Sequence, residues 1–178
     1  MSNMSNVVEA VEAFKKTGNR NLILLHCLSS YPSNEKEMNL NAIISLKNYF
    51  KIPVGLSDHY PGIEISLMSL AMGANIIERH FTIDKKMEGP DHILSSEPDE
   101  MKKLTNFSKN ISLILGDGEK KIQPSEYEVI NTQRKCLYSK KNLKKNSTLR
   151  ENDISIKGPA GGLHTRYSKI IINKTLVK

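Results

Sequence analysis

The sequence predicts an α/β fold built on a parallel sheet and followed by a small β-rich region. Short apolar segments alternate with amphipathic segments along residues 7–115, in repeats of the roughly 30 residues that a strand–helix–strand unit occupies. Polar residues follow each apolar segment at its carboxyl end, where open α/β sheets and β/α barrels place their active sites. After Gly118 the amphipathic pattern gives way to short strand-like segments and glycine-rich turns.

The first elements are a helix, a strand and a second helix. Residues 7–16 predict a helix, because apolar residues recur there at helical spacing and Gly18 closes the run. Residues 22–28 are mostly apolar and have the length of a strand that a parallel sheet buries on both faces. A second amphipathic run predicts a helix over residues 38–50.

The same alternation continues to residue 115. A second short strand is predicted over residues 52–56, and a helix over residues 63–72 ends before Gly73. A third strand is predicted to begin at residues 75–77 and to continue through residues 78–82. The last helix, residues 97–115, carries acidic residues in its first turn, where the helix dipole favours them. Three strands are too few to close an eight-stranded barrel.

Composition divides the chain into three predicted regions. Residues 1–118 form the α/β domain, residues 119–129 form a polar linker, and residues 130–178 form the β-rich domain. Strands are expected within the last region at residues 134–139 and 154–157.

The net charge of +7 comes from lysines scattered along the chain, which favours a solvated surface. A second interpretation of the charge is that it attracts anionic substrates such as phosphates. Nucleic-acid binding is a third, but no basic patch interleaved with aromatic residues and no known motif supports it. No apolar run reaches the roughly 20 residues that span a bilayer, and the amino terminus is polar, so we expect a cytoplasmic protein without membrane contact. Cys27 and Cys136 lack metal or redox spacing and are predicted to be free thiols.

Two histidines lie at the carboxyl ends of successive predicted strands. His59 ends the segment Leu-Ser-Asp-His, and His80 lies in Glu-Arg-His-Phe-Thr. Because adjacent parallel strands lie about 4.8 Å apart, the two imidazoles could converge on one divalent metal and leave positions for water or substrate. The alternative is that each histidine is an ordinary polar loop residue.

Other polar residues at the strand ends could contact a ligand. The hydroxyls of Ser29, Ser30 and Ser57 could hold a phosphate, but turn chemistry is the preferred explanation of serines in loops. Asp91 could accept hydrogen bonds from sugar hydroxyls or be a solvated loop carboxylate. Tyr31 could stack on a ligand or pack its own loop.

Four separated motifs, taken in order, resemble the sialic-acid synthase family. They are Leu-Leu-His-Cys-Leu-Ser-Ser-Tyr-Pro at 24–32, Pro-Val-Gly-Leu-Ser-Asp-His at 53–59, Gly-Ala-Asn-Ile-Ile-Glu-Arg-His-Phe-Thr at 73–82, and Glu-Gly-Pro-Asp-His at 88–92 followed by Ser-Glu-Pro-Asp-Glu at 96–100. Their order and spacing agree along nearly the whole chain, which makes the signal stronger than any single motif.

The resemblance implies a fold and an activity. The family fold is a (β/α)8 TIM barrel followed by a small antifreeze-like (SAF, β-clip) domain, and this chain would hold the last three barrel strands and a truncated form of that domain. The family joins phosphoenolpyruvate to an N-acetylated amino sugar such as N-acetylmannosamine and releases phosphate. It uses a divalent metal, typically manganese or magnesium, and forms homodimers.

The resemblance also implies roles for individual residues. His59 and His80 match the pair that binds the metal. Ser57 matches a phosphate contact, and Ser29 falls where the family often has Asn on the same phosphate.

Two further positions concern the sugar. Tyr31 and Asp91 match positions that face it. The family usually has Arg-Pro-Gly-Asn-Gly where residues 158–162 read Gly-Pro-Ala-Gly-Gly. That Arg contacts the neighbouring subunit's sugar site in the family dimer, and Gly158 lacks the side chain to do so.

The resemblance starts after the fifth barrel strand. The family's acidic catalytic residue and the lysines that grip phosphoenolpyruvate therefore have no counterpart in this chain. Two hypotheses follow: a separate N-terminal half completes an active enzyme, or the chain is a non-catalytic remnant that binds metal or sugar weakly.

Overall fold

The computed structural model describes residues 1–177 and builds the first 118 of them around a three-stranded parallel sheet. The strands are β1 (Leu24–Cys27), β2 (Val54–Asp58) and β3 (Ile77–Arg79), in the order β1-β2-β3. The predicted α/β fold with a parallel sheet is confirmed. β2 extends two residues beyond the predicted strand, because Ser57 and Asp58 still pair with β3.

Helices alternate with these strands. They are α1 (Met4–Lys16), α2 (Asn41–Phe50), α3 (Glu64–Ala71) and α4 (Pro98–Leu115), with one-turn 3-10 helices at Glu35–Glu37 and His92–Leu94. α1 begins three residues before the predicted start, because the side chain of Asn3 accepts a hydrogen bond from the amide of Asn6 and caps the helix. At the start of α4 the side chain of Glu100 accepts a hydrogen bond from the amide of Glu97, as in a capping box.

The core of the first unit lies on one face of the sheet. Val54 and Leu56 of β2 are fully buried on this face against Ile43 and Leu46 of α2 and Ile65 of α3. Because side chains alternate along a strand, Ser57 and His59 belong to the opposite face. The alternation thus separates an apolar face that packs against helices from a polar face that carries the candidate site.

β1 differs from its prediction. None of its four residues is buried, and Leu25 is 36% exposed. The expectation that this strand is covered on both faces is therefore wrong for the described structure, because β1 is an edge strand with β2 on one side.

Gly55 allows β2 and β3 to approach closely, and we expect Gly55→Ala to be destabilising. An added Cβ would lie 2.3 Å from the carbonyl oxygen of Ile76, which accepts a hydrogen bond from the amide of Leu56. Overpacking of this kind typically costs about 1–3 kcal/mol, measurable by urea unfolding. Gly158→Ala is the control, since its Cβ meets nothing closer than 3.6 Å. Equal losses in both variants would contradict the steric explanation.

A second unit begins at Glu119. It contains an antiparallel sheet in the order β5-β4-β6, formed by β4 (Cys136–Ser139), β5 (Ile154–Lys157) and β6 (Leu163–His164). Strands were expected at the first two positions and not at the third.

The second unit also holds two short helices, α5 (Tyr127–Gln133) and α6 (Ser168–Ile171). α5 crosses the predicted end of the linker at residue 129, so the loop expected there is partly helical. The capping box between Gln123 and Glu126 starts this helical stretch. Lys178, the last residue of the predicted second domain, lies outside the described residues.

Cys27 and Cys136 are both free thiols. No helix within residues 1–177 is long and apolar enough to cross a membrane.

Candidate active site

His59 and His80 lie side by side at the carboxyl edge of the parallel sheet. Each directly follows its strand, and the last paired residues of β2 and β3 are Asp58 and Arg79. The centroids of the two imidazole rings are 5.2 Å apart, and the ring planes meet at 74°. The structure therefore brings together the two histidines that the sequence singled out.

The environment of His59 favours a neutral imidazole. The side chain is buried, and this burial lowers the pKa of His59 below its ordinary value of 6.5. The nearby imidazole of His80 lowers the pKa further, while a hydrogen bond to the Leu28 backbone and the charges of Asp58 and Glu78 oppose the shift. The neutral form is the one that binds metals.

We expect the imidazole of His59 to titrate with a pKa below 6.5 in an NMR pH titration. The unfolded chain binds the proton more readily in the range between 6.5 and the folded pKa. His59 therefore contributes stability that is present above pH 6.5 and is lost as the pH falls through this range. In His80→Ala the pKa of His59 should rise only part of the way to 6.5, because burial remains the larger cause. A pKa at or above 6.5 in the unsubstituted protein would contradict this account.

Tyr31 covers the histidine pair. Its ring centroid lies 4.2 Å from that of His59 and 5.9 Å from that of His80, although about half of the Tyr31 side chain is exposed. The loop that carries Tyr31 is tied to the site, because the amide of Ser33 donates a hydrogen bond to the carbonyl of His59. Tyr31 is therefore placed to contact any molecule that binds beside the histidines.

Asp91 reaches the site from the loop between β3 and α4. Its Oδ2 lies 3.6 Å from Nδ1 of His80. Both side chains are partly exposed. At this distance the two groups are neighbours without a hydrogen bond, and the Asp91 carboxylate can accept a hydrogen bond from a ligand.

The two predicted serines differ in their surroundings. Ser57 is buried, and its hydroxyl donates a hydrogen bond of 2.7 Å to Oε1 of Glu78. Ser29 is exposed, and its hydroxyl lies 3.5 Å from Sγ of Cys27. The Cys27 thiol in turn lies 3.9 Å from Nδ1 of His59.

Sequence reasoning missed Cys27 and Glu78 as members of this cluster. A signal was available for Glu78, because it stands two residues before His80 and so shares a face with it. Cys27 offers no such signal, since its place beside His59 follows from its pairing with Ser57 in the parallel register.

Residues 1–120 match the family model described as the NeuB family. The chain belongs to the sialic-acid synthase (NeuB) family. The resemblance carried by the four motifs is therefore confirmed.

The chain is also similar to individual proteins over nearly its whole length. The chain is 47% identical over 176 residues to an uncharacterized protein of Methanocaldococcus jannaschii, covering 99% of this chain and 52% of that protein. It is 44% identical over 174 residues to an N,N'-diacetyllegionaminic acid synthase of Campylobacter jejuni, covering 96% of this chain and 52% of that protein. The chain thus spans about half the length of these curated relatives.

A solved structure of the same family is also similar. The crystal structure of N-acetylneuraminic acid synthetase from Leptospira borgpetersenii in complex with citrate superposes with a TM-score of 0.65 at 46% identity. The match covers 73% of this chain and 45% of that one.

A buried ion pair lies beneath the histidines of this family member. Arg79 Nη1 lies 2.5 Å from Oδ2 of Asp58, and the two side chains are 1% and 0% exposed. Sequence reasoning did not select either residue. The available signal was that an acid precedes the first histidine and a base precedes the second, at equivalent positions of two parallel strands.

The donor set fits a divalent metal at an open site of two protein ligands. Rings 5.2 Å apart are close enough to share an ion whose bonds to nitrogen are about 2.0–2.2 Å long. Within residues 1–177, no three His, Cys, Asp or Glu side chains are grouped so as to hold a metal. His59 and His80 would thus be the protein ligands, and the other coordination positions would be filled by water or substrate.

Proposed function

We propose that this chain forms part of an enzyme that condenses phosphoenolpyruvate with an N-acetylated amino sugar to give a nonulosonic acid and phosphate. The observation that carries the proposal is the pairing of His59 and His80 at the carboxyl edge of the sheet, with ring centroids 5.2 Å apart. Membership of the sialic-acid synthase family supplies the reaction class. Fold alone would not, because one fold hosts many activities.

We infer that the parallel sheet is the last part of a (β/α)8 barrel and that the second unit is an antifreeze-like domain. The similarity to the Leptospira synthetase supports the first inference. β1 has β2 on one side only, so its other edge can pair with a further strand. A homodimer, as in the family, belongs to the same proposal.

The histidine pair would hold manganese or magnesium. Such an ion, when bound, polarises a carbonyl oxygen as a Lewis acid, here that of the sugar's open-chain aldehyde. Asp91 stands 3.6 Å from Nδ1 of His80, and a closer approach would let it accept the ring N–H, as carboxylates commonly do for metal-binding histidines. The same carboxylate and the exposed ring of Tyr31 would contact the sugar.

Ser57 and Ser29 would donate hydrogen bonds to the phosphate of phosphoenolpyruvate. The one hydroxyl proton of Ser57 is directed to Glu78, so Ser57 would have to turn from this carboxylate to reach the phosphate. Glu78, freed from Ser57, would then be available to accept a proton. The exchange links phosphate binding to the availability of a base.

The bond changes follow from the substrates. C3 of phosphoenolpyruvate forms a bond to the aldehyde carbon, and the aldehyde oxygen takes up a proton and becomes a hydroxyl. Water adds to C2 and gives a proton to Glu78. The bond between C2 and the phosphate oxygen then breaks, the proton of the C2 hydroxyl passes to the departing phosphate, and C2 becomes the carbonyl of the keto acid. The proton held by Glu78 balances the one that the aldehyde oxygen takes up.

A non-catalytic role is the second candidate, and Gly158 is the observation that favours it. The family usually has an arginine there that contacts the partner's sugar site. An added Cβ at Gly158 would meet only ordinary contacts at 3.6 Å or more. Space around the backbone therefore admits a side chain, and Gly158→Arg can test whether the missing guanidinium limits sugar recognition.

The test is reconstitution of the complete barrel. The chain is co-expressed with the N-terminal half of the Campylobacter relative, and phosphate release is measured with phosphoenolpyruvate, N-acetylmannosamine and manganese. We expect manganese-dependent turnover that chelation by EDTA abolishes, and a lower KM for the sugar in Gly158→Arg. No phosphate release at saturating manganese, with or without Gly158→Arg, would instead support the non-catalytic role.

A further inference from the structure

We propose that the buried pair Asp58–Arg79 is a positioning device that sets the separation of His59 and His80. The inference rests on the proposed metal-binding function of the two histidines and assigns a role to residues that touch neither metal nor substrate. Three observations carry it: the strand register, the hydrogen bonds of Arg79, and the bonds that hold the carbonyl groups of the histidines.

The register places the ion pair directly before the histidine pair. Asp58 and Arg79 are Cα partners in the parallel pairing of β2 with β3. Consecutive side chains of a strand alternate between faces, so the ion pair lies on the helix side and the imidazoles on the polar side. A slip of one residue would move one ring about 3.3 Å along its strand and send it to the wrong face.

Arg79 ties β3 to three other segments. Its Nη1 binds Oδ2 of Asp58, its Nη2 donates to the carbonyls of Tyr60 (2.9 Å) and Leu94 (3.3 Å), and its Nε donates to the hydroxyl of Ser96 at 2.8 Å. The planar guanidinium of arginine donates all of these hydrogen bonds at once. The ammonium group of lysine is too compact to donate in the same directions.

Asp58 is fixed from the other side. Its Oδ2 also accepts a hydrogen bond from the hydroxyl of Ser66 in α3, and its Oδ1 accepts one from the amide of Tyr60. Within residues 1–177, no buried side-chain polar atom lacks a hydrogen-bond partner. The pair is therefore fully satisfied despite its burial.

The network continues to the backbone of His80, and a separate bond holds the backbone of His59. Ser96, held by Arg79 through its hydroxyl, donates its amide to the carbonyl of His80 at 2.8 Å. The carbonyl of His59 accepts the amide of Ser33 at 3.0 Å. Loss of the guanidinium would therefore weaken the strand register. It would also release the segment around Ser96, which holds the backbone of His80.

An ion pair is an unusual choice for this place if stability were the only purpose. Buried pairs must overcome the desolvation of both charges, and apolar replacements of similar volume are often neutral or stabilising. An apolar pair could fill the same space, but apolar contacts are not directional and would not fix the register of β2 against β3. Apolar substitution can therefore remove the positioning effect while the free energy of unfolding stays similar.

The test uses the full 178-residue chain with labelled histidine. The double substitution Asp58→Leu/Arg79→Met removes both charges while filling the space. Arg79→Lys keeps the positive charge and removes the planar set of donors. This variant provides the test if the double variant does not fold. Glu12→Gln/Lys15→Gln is the matched control, since it removes an exposed ion pair of the same unit. Far-UV circular dichroism and thermal melting establish folding.

Two measurements then report on the site. The nuclear Overhauser cross-peak between the ring protons of His59 and His80 reports their separation without any metal. Titration with Co²⁺, followed by its visible absorption, reports chelation.

In the unsubstituted chain and the control we expect the cross-peak and Co²⁺ binding. In both site variants we expect the cross-peak to be lost or weakened and the Co²⁺ affinity to fall about 10–100-fold, as for residues that support metal ligands. An unchanged cross-peak with Co²⁺ affinity within about threefold of the control would overturn the proposal. If the unsubstituted chain shows the cross-peak but binds no Co²⁺, the proposed function fails, and the cross-peak alone decides the positioning role.

Discussion

Replacement of His59 or His80 by alanine is expected to lower Mn²⁺ affinity by more than about 100-fold, because substitution of residues that merely support metal ligands already costs 10–100-fold. The two imidazoles are the protein ligands proposed for the ion, so each variant retains one. Isothermal titration of the chain with Mn²⁺ measures the loss. Phosphate release by the reconstituted enzyme should fall at least in parallel, since the ion supplies the polarisation of the aldehyde.

His164→Gln is the matched control for these variants. This histidine lies in the second unit and is exposed, and its Nδ1 accepts a hydrogen bond from the amide of Arg166. Its replacement should leave Mn²⁺ affinity unchanged. Equal binding by His59→Ala, His80→Ala and His164→Gln would show that the metal is bound elsewhere.

Asp58→Ala is expected to destabilise the chain by about 3–5 kcal/mol, the usual consequence of removing one partner of a buried ion pair. The guanidinium of Arg79 would remain buried without its carboxylate, and the hydroxyl of Ser66 would lose its acceptor. Urea unfolding measures the change in the free energy of unfolding.

Glu12→Gln provides the comparison. Glu12 pairs with Lys15 at 3.2 Å, but both side chains are more than half exposed. Pairs of this kind contribute about 0–1 kcal/mol. A loss for Asp58→Ala no larger than that for Glu12→Gln would mean that water reaches the Asp58–Arg79 pair.

Much of the first unit could be predicted from sequence because its patterns are local. Apolar runs and helical spacing located β2, α3 and α4 within about two residues at most ends, as boundaries of this kind usually allow. His59 is predicted from the same kind of local signal, since Ser57, Asp58 and His59 form the polar end of a short apolar run. Such signals depend on residues near one another in the chain.

Other features escaped prediction because they depend on distant neighbours. The burial of β1 was overestimated, since an apolar sequence does not reveal that the strand lies at an edge. The first residues of α5, 127–129, fall within the predicted linker, because the polar sequence from residue 119 gives little periodic signal. The role of Glu78 depends on its contact with Ser57, which comes from another strand.

The sequence by itself determined that strands and helices alternate and that histidines follow two successive strands. Only the tertiary structure decided that those strands are neighbours with Asp58 opposite Arg79, that the rings stand 5.2 Å apart, and that Ser57 binds Glu78. The physical reason is that periodicity is encoded residue by residue along one segment. Register between strands is set by packing and hydrogen bonding across segments, where a shift of one residue exchanges the two faces of a strand.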